Sequence, residues 1–248
     1  MSPLEVLAML AVGGIAGFIN VLSAGGSMLT LPLLMFLGLP PQVANGTNRV
    51  AVTLQSVSAV SGFRRMGHGN LAVGLRLAIP AVIGSLVGAW LATGVSDAVF
   101  EAVLVTAMAG ASLFMLLPQP KLDTRPLTPE RLTPAVYLAM FLIGGYGGFI
   151  QVGVGVLFIV VLYRMLRIDL PQVNVLKVFI VLMYTLPALL IFAISDQVRW
   201  AFGLVLALGN ITGAYLAVRV NMGEKGAQWV KWITLVVVVG ILVRLMLA

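Results

Sequence analysis

The sequence contains no cysteine and a single histidine, His68, in 248 residues. Disulfides, thiol redox chemistry and iron–sulfur ligation are therefore excluded, and little is left for a metal site. Charge is also scarce: 15 Lys and Arg against 8 Asp and Glu make up 9% of the chain. A soluble domain is roughly a quarter charged, so this chain cannot cover a water-facing surface in the usual way. A soluble enzyme or nucleic-acid-binding domain is excluded on that ground. The basic excess includes no run longer than the pair Arg64-Arg65, which reads as loop charge rather than a nucleic-acid patch. No carboxylate lies in the middle of an apolar stretch, so a carboxylate proton relay is not expected. No nucleophile–His–acid set, metal-ligand cluster or phosphate loop is present, and neither enzymatic activity nor a cofactor is expected. Gly153-x-Gly155 sits in an apolar helical run without a strand, unlike a dinucleotide-binding loop. His68 reads as a loop residue rather than a ligand.

What the chain does have is apolar length: 60% of its residues are hydrophobic. A membrane-spanning helix needs about 20 apolar residues. Apolar segments fall at about 4–22, 27–37, 43–61, 71–93 and 97–117, then 134–151, 153–166, 173–194, 199–218 and 227–247. The expectation is an all-α, polytopic membrane protein forming one transmembrane domain over 1–248, set in the lipid bilayer of the cell (inner) membrane. The first segment carries Glu5 near its start and reads as a span, not a cleaved signal peptide. A Pro- and charge-rich linker at 118–133 divides the chain into a first repeat, about 1–117, and a second, about 134–248. The segments at 27–37 and 153–166 are too short to span, which predicts broken or re-entrant helices. Short, Gly-interrupted segments in matching places of two halves point to a transporter's binding site.

The halves match in sequence. Gly17-Phe18-Ile19-Asn20 parallels Gly148-Phe149-Ile150-Gln151, Pro41-Gln42-Val43 parallels Pro171-Gln172-Val173, and GSLVGAWLA from Gly84 parallels GNITGAYLA from Gly209. The three matches are collinear, as an internal repeat requires. Lys and Arg favour cytoplasmic loops. The 62–70 loop and the linker are basic, whereas the turn at Asp97 is acidic; in the second half the sign reverses, with Arg164 and Arg167 in one turn and Arg219 and Lys225 in another. Reversal implies inverted repeats, five segments each, with both termini outside.

The stretch 22–34 (LSAGGSMLTLPLL) suggests the site. Gly25-Gly26 break one helix, and Ser27 stands where the next can start as its N-cap, with Pro32 tolerated near the first turn. Unwound backbone at membrane depth is allowed only where it is buried or lines a cavity, and a helix N-terminus suits an anion. The mate is Gly153-Val154-Gly155. The alternative is that such glycines only permit close helix packing, the role read for Gly13/Gly17, Gly84/Gly88, Gly144/Gly148 and Gly209/Gly213. Asn20 and Gln151 share a repeat position; they either bind an oxyanion or satisfy freed backbone. Asn45, Thr47 and Asn48 make a polar turn that either binds an anion or caps its helix. Lys177 and, less strongly, Arg49 are cations inside apolar segments, candidates for function unless they snorkel to the interface. The candidate substrate-binding set is Asn20, Ser23, Gly25, Gly26, Ser27, Thr47, Asn48, Gln151, Gly153, Gly155 and Lys177.

These motifs resemble the TauE/SafE family of membrane anion exporters, the sulfite exporter family. The resemblance is carried by Ala24-Gly25-Gly26-Ser27, Pro32-Leu33-Leu34, and the run from Gly38-Leu39-Pro40 through Ala44-Asn45-Gly46-Thr47-Asn48, with the basic 62–70 turn and the Gly84/Gly88-Ala89 helix. It covers most of the first half and, loosely, the second. Ser27 stands where the pattern has a third glycine, and Asn48 where it has serine. The resemblance implies export of sulfite, sulfonates or related small organic anions, with a proton or another ion as coupling partner. The competing reading is a non-transporting membrane assembly subunit, which predicts no anion flux from the purified protein.

Overall fold

The computed structural model describes residues 1–22, 25–67, 71–116, 123–125, 127–128 and 131–220, with isolated positions at 232, 236, 239 and 240. Ser23, His68, half of the 118–133 linker and all but those four positions of the expected tenth segment lie outside the described residues. The helices are α1 (Pro3–Leu22), α2 (Ser27–Phe36), α3 (Pro41–Arg65), α4 (Leu71–Gly94), α5 (Asp97–Leu116), α6 (Pro134–Phe149), α7 (Val154–Phe158), α8 (Leu170–Ile194) and α9 (Trp200–Val220). A π-helical run, Ile159–Met165, continues α7. Five helices (α1, α4, α5, α8 and α9) are long and apolar enough to cross a membrane. The protein is an all-α, polytopic membrane protein.

Local chemistry sets the helix limits. Pro41, Pro134 and Pro171 occupy the first turns of α3, α6 and α8, where a missing N–H costs nothing. Asp169 caps α8, its side chain accepting from Gln172 N at 2.8 Å. Ser27 is not the N-cap expected of it: Gly26 holds that position without a side-chain bond, and Ser27 is the first helical residue. The reason is the tightness of the turn, in which Met28 N and Leu29 N bond back to the carbonyls of Gly25 and Gly26. Left-handed backbone occurs at Gly25, Gly38, Gly67, Gly153, Arg167 and Asp196. These fall into repeat mates: Gly25 with Gly153 at the helix breaks, Gly38 with Arg167 before α3 and α8, and Gly67 with Asp196 after them.

The glycine pairs close the helix interfaces. A methyl group on Gly88 would lie 1.9 Å from Gly145 O, and one on Gly213 1.9 Å from Gly14 O. Gly84 abuts Phe141 while its mate Gly209 abuts Leu10; Gly144 abuts Ala81 while its mate Gly13 abuts Leu206. The α4–α6 and α1–α9 interfaces are thus copies of one another. The order of these contacts fixes direction. Leu10 meets Gly209 and Gly14 meets Gly213, so α1 and α9 run the same way; Val50 meets Gly203 and Gly62 meets Val218, which adds α3. By the same logic α4, α6 and α8 run together, through Gly84–Phe141, Gly88–Gly145 and Gly74–Phe179. The short α8–α9 turn at 195–199 reverses the chain, so the two sets are antiparallel. Each helix of the first half therefore opposes its mate, and the repeats are inverted.

Because α1 and α3 point the same way, α2 must return between them. Gly26 packs on Ala16 and Asn20, and Thr30 and Ser27 reach Asn48, so α1–α2 is a re-entrant hairpin. α6–α7 is its mate. The closest packing joins α1, α2 and α3 with α9, and α6, α7 and α8 with α4. Each bundle thus borrows its fourth long helix from the other half, and α3 and α8 meet at the seam between bundles. Lipid-facing positions carry large apolar residues such as Leu4, Ile79, Trp90, Leu142 and Leu190, all exposed. α3, by contrast, buries Asn45, Thr47, Asn48, Arg49, Gln55 and Ser56; enclosed by protein, it meets partners rather than hydrocarbon.

Candidate functional site

A cavity of about 40 Å³ lies at the seam, lined by both helix breaks. From the first half come Asn20, Gly25 and Ser27 of the α1–α2 hairpin and Val52, Gln55 and Ser56 of α3. From the second come Gln151, Gly153 and Gly155 of the α6–α7 hairpin and Lys177, Val181 and Tyr184 of α8. Several of these are repeat mates: Asn20 with Gln151 and, in the register set by the helix starts Pro41 and Leu170, one residue from the Pro41/Pro171 sequence match, Val52 with Val181 and Gln55 with Tyr184. The hollow therefore sits on the pseudo-twofold axis. It has room for about three water molecules, at 10–15 Å³ of such volume each, which is the scale of a small oxyanion.

Most of the hydrogen bonds around it lie within one bundle, and that from Asn48 to Gln151 crosses the seam. Gln55 Oε1 accepts from Asn20 Nδ2 and from Asn210 Nδ2, both at 3.1 Å. Asn48 Oδ1 accepts from the Thr30 hydroxyl at 2.7 Å, and Asn48 Nδ2 reaches Ser27 Oγ at 3.4 Å. In the other bundle Gln151 Nε2 donates to Thr185 Oγ1 at 3.0 Å, and Ser85 Oγ donates to Tyr184 O at 3.1 Å. Asn210 and Ser85 are themselves mates, so each steadies the central helix of its own bundle at the same level. Lys177 is 2% exposed and donates to Asn174 Oδ1 at 3.3 Å. The Ser56 hydroxyl is buried without a hydrogen-bond partner among the described residues, an expensive condition that an acceptor in the cavity would relieve.

Of the expected set, Asn20, Gly25, Ser27, Gln151, Gly153, Gly155 and Lys177 line this cavity together. Gly26 does not; it lets the hairpin close, since a methyl there would lie 2.2 Å from Ala16 O. Asn48 stands behind the lining, bridging Ser27 and, at 3.5 Å, Gln151 Oε1. Thr47 faces elsewhere: its hydroxyl accepts Arg199 N at 2.9 Å at the start of α9. Asn45 donates to Phe149 O at 2.9 Å, so it caps the end of α6. Ser23 lies outside the described residues. The sequence reading missed Gln55, Ser56 and Tyr184. The available signal was Gln55-Ser56 midway along a long segment, where buried amides and hydroxyls need partners.

Lys177, side-chain amides and hydroxyls and two backbone breaks line one hollow, and among the described residues the carboxylates sit near helix ends. No group of three or more His, Asp or Glu is placed to hold a metal among the described residues.

Comparison with known proteins bears on this arrangement. The family model described as Sulfite exporter TauE/SafE matches residues 9–245. A probable membrane transporter protein, ORF9, of a Sinorhizobium species is 31% identical over 94% of this chain and 88% of its own. A probable membrane transporter protein of Haemophilus influenzae is 28% identical over 92% and 89% respectively. YfcA of Escherichia coli K12, also a probable membrane transporter protein, is 27% identical over 93% and 86%. No solved structure matches.

Proposed function

We propose that this chain, which belongs to the TauE/SafE sulfite exporter family, exports a small sulfur-containing or organic oxyanion, such as sulfite or a sulfonate, bound between its two helix breaks. That it is a membrane transporter follows from the family and from relatives matched along nearly their whole length. The observation that best supports the substrate class is the seam cavity: it is small, Lys177 lines it, and both re-entrant tips line it. A site of this kind replaces an oxyanion's water shell with fixed donors.

In this reading the protein works by alternating access, and the moving bodies are the two four-helix bundles rather than the two sequence halves. The α3–α8 seam is where they slide, and the anion rides between them. The domain comprises repeats at about 1–117 and 134–248 joined by the 118–133 linker. Orientation follows from charge. The side where α1, α3 and α9 begin carries Glu5, Asp97, Glu101 and Asp196, with Arg199. The opposite side carries Arg64, Arg65, Arg76, Arg125, Arg131, Arg164, Arg167 and Arg219, with Asp123 and Asp169. The positive-inside tendency puts the arginine-rich side in the cytoplasm of a cell (inner) membrane protein and the N-terminus outside. A proton or another ion couples the movement.

The test is flux. Purified protein in liposomes loaded with sulfite, a short sulfonate or a carboxylate should release at least one of these anions faster than empty liposomes do. Release no faster than from protein-free vesicles, for all three classes, would discard the reading.

A further inference from the structure

Helix α6 stops just short of the cavity. Ile150 is extended, at φ −144° and ψ 131°, and Gln151 already lines the hollow. A helix end leaves its last carbonyls without partners inside the helix. The closing bond of α6 runs from Ile150 N to Tyr146 O at 2.7 Å. The carbonyls that follow, those of Gly147, Gly148 and Phe149, all find donors on α3, across the seam. The Arg49 guanidinium donates to Gly147 O at 3.1 Å, to Gly148 O, and to Phe149 O at 3.5 Å. Asn45 Nδ2, one turn away, donates to Phe149 O at 2.9 Å.

Neutral donors would satisfy these carbonyls at lower cost, as Asn45 does. Arg49 is wholly buried, and burying a charge costs far more than burying an amide. Its partners among the described residues are the carbonyls and the Phe192 ring, whose centroid lies 4.5 Å from the guanidinium carbon; its Nε has none. No Asp or Glu is buried among the described residues, so no interior carboxylate there cancels the charge. A guanidinium keeps its proton even when buried. What Arg49 supplies beyond an amide is therefore a fixed positive charge.

That charge stands where an anion needs it. The free carbonyls at a helix C-terminus act as about half a negative charge, and Phe149 is only two positions before Gln151 of the cavity wall. An anion in the hollow would face this negative pole. Arg49 covers the pole with a full positive charge, so the sum at the end of α6 is positive. Arg49 also precedes Val52 of the cavity wall by one turn of α3, which places the two on one side of the helix.

We propose that Arg49 is a positioning residue that acts on the substrate through the end of α6: it reverses the sign of that pole and so admits an anion to the cavity without touching it. This rests on the transport reading above and adds a determinant of charge selectivity to it. Lys177 stands in the cavity wall; Arg49 acts from outside it.

The test is a Kd titration of the purified protein in detergent, with sulfite, methanesulfonate and acetate as probes, beside thermal unfolding without ligand. Variants separate charge from capping. R49Q keeps a donor and removes the charge; it should weaken anion binding by about tenfold or more, the scale of one charge acting over roughly 10 Å at an effective dielectric of about 20. R49K keeps the charge and gives up the planar fork; it should melt lower yet retain most of the affinity. Asn45→Asp leaves Arg49 in place and sets a carboxylate one turn away on the same face; by neutralising the guanidinium it should weaken binding as R49Q does, and it covers the case of R49Q failing to fold. A cap that is only structural predicts R49K as poor a binder as R49Q, and Asn45→Asp with the parent's Kd. Either result overturns the role of Arg49 and leaves the cavity reading intact. Binding of none of the three probes by the parent overturns the transport reading and this proposal with it.

Discussion

Lys177→Met separates a binding role for this lysine from a structural one, because the two predict opposite effects on stability. Lys177 is 2% exposed and lies in the cavity wall, with Asn174 Oδ1 at 3.3 Å. Methionine keeps the length of the side chain and removes the charge. Removing a buried charge removes the cost of its desolvation, so without ligand the variant should melt no lower than the parent. Binding should move the other way. A hydrogen bond to a charged group contributes about 1.5–3 kcal/mol, which is about ten- to a hundredfold or more in Kd at 1.4 kcal/mol per decade. At an anion concentration of a hundred times the parent Kd, ligand stabilises the parent by about 2.7 kcal/mol. A variant binding a hundredfold more weakly keeps only about 0.4 kcal/mol at the same concentration. The assay is thermal unfolding in detergent, with and without sulfite, sulfonates and carboxylates. An anion-induced Tm rise equal to that of the parent would refute the binding role. A steep fall of the ligand-free Tm would show that the lysine serves packing instead.

Other substitutions probe the frame and the limits of the site. Gly88→Leu and its counterpart Gly213→Leu drive a side chain into backbone that already lies 1.9 Å from an added methyl. Each should lower thermal stability by at least the about 1–3 kcal/mol typical of overpacking, read as a lower Tm. Thr47→Val removes the acceptor for Arg199 N but touches no cavity wall; it should cost about 1 kcal/mol of stability and leave the anion Kd unchanged in the same titration. Arg167→Gly, which copies its mate Gly38 at a left-handed φ of 52°, relieves about 1 kcal/mol of steric strain and should raise Tm slightly. A periplasm-active reporter fused to the N-terminus should be active and a cytoplasm-active one silent, if the arginine-rich side is cytoplasmic.

Much of the membrane fold was legible because the bilayer imposes long apolar segments, and the repeat was legible because tight helix contacts demand glycine. The Gly84/Gly88 and Gly209/Gly213 motifs survived in both halves because any larger residue would strike backbone across the interface. The two breaks were legible for a related reason: Gly25 and Gly153 adopt left-handed backbone, which side chains resist. The cavity was less so. Gln55 and Tyr184 are mates in space yet share no chemistry, and Lys177 answers Asn48, so no residue identity links them. Thr47 looked like a ligand beside Asn48, but successive helical residues point about 100° apart, and that turn carries it to the start of α9.

The exchange of α4 and α9 between bundles was beyond reach of the sequence, since a hydrophobic repeat says which helices are alike and nothing about which pack together. Its physical trace is in the turns. Every long helix that meets the seam is followed by a short tether into the opposite bundle: α3 leads through Gly67 to α4, and α8 through Asp196 to α9. Both residues have left-handed φ, 76° and 55°, and the caps before them, Met66 and Ser195, match at φ −86° and −81°. One tether lies on each face of the membrane. In the proposed transport cycle, parting the bundles on either face would turn the chain about the residue that bridges it.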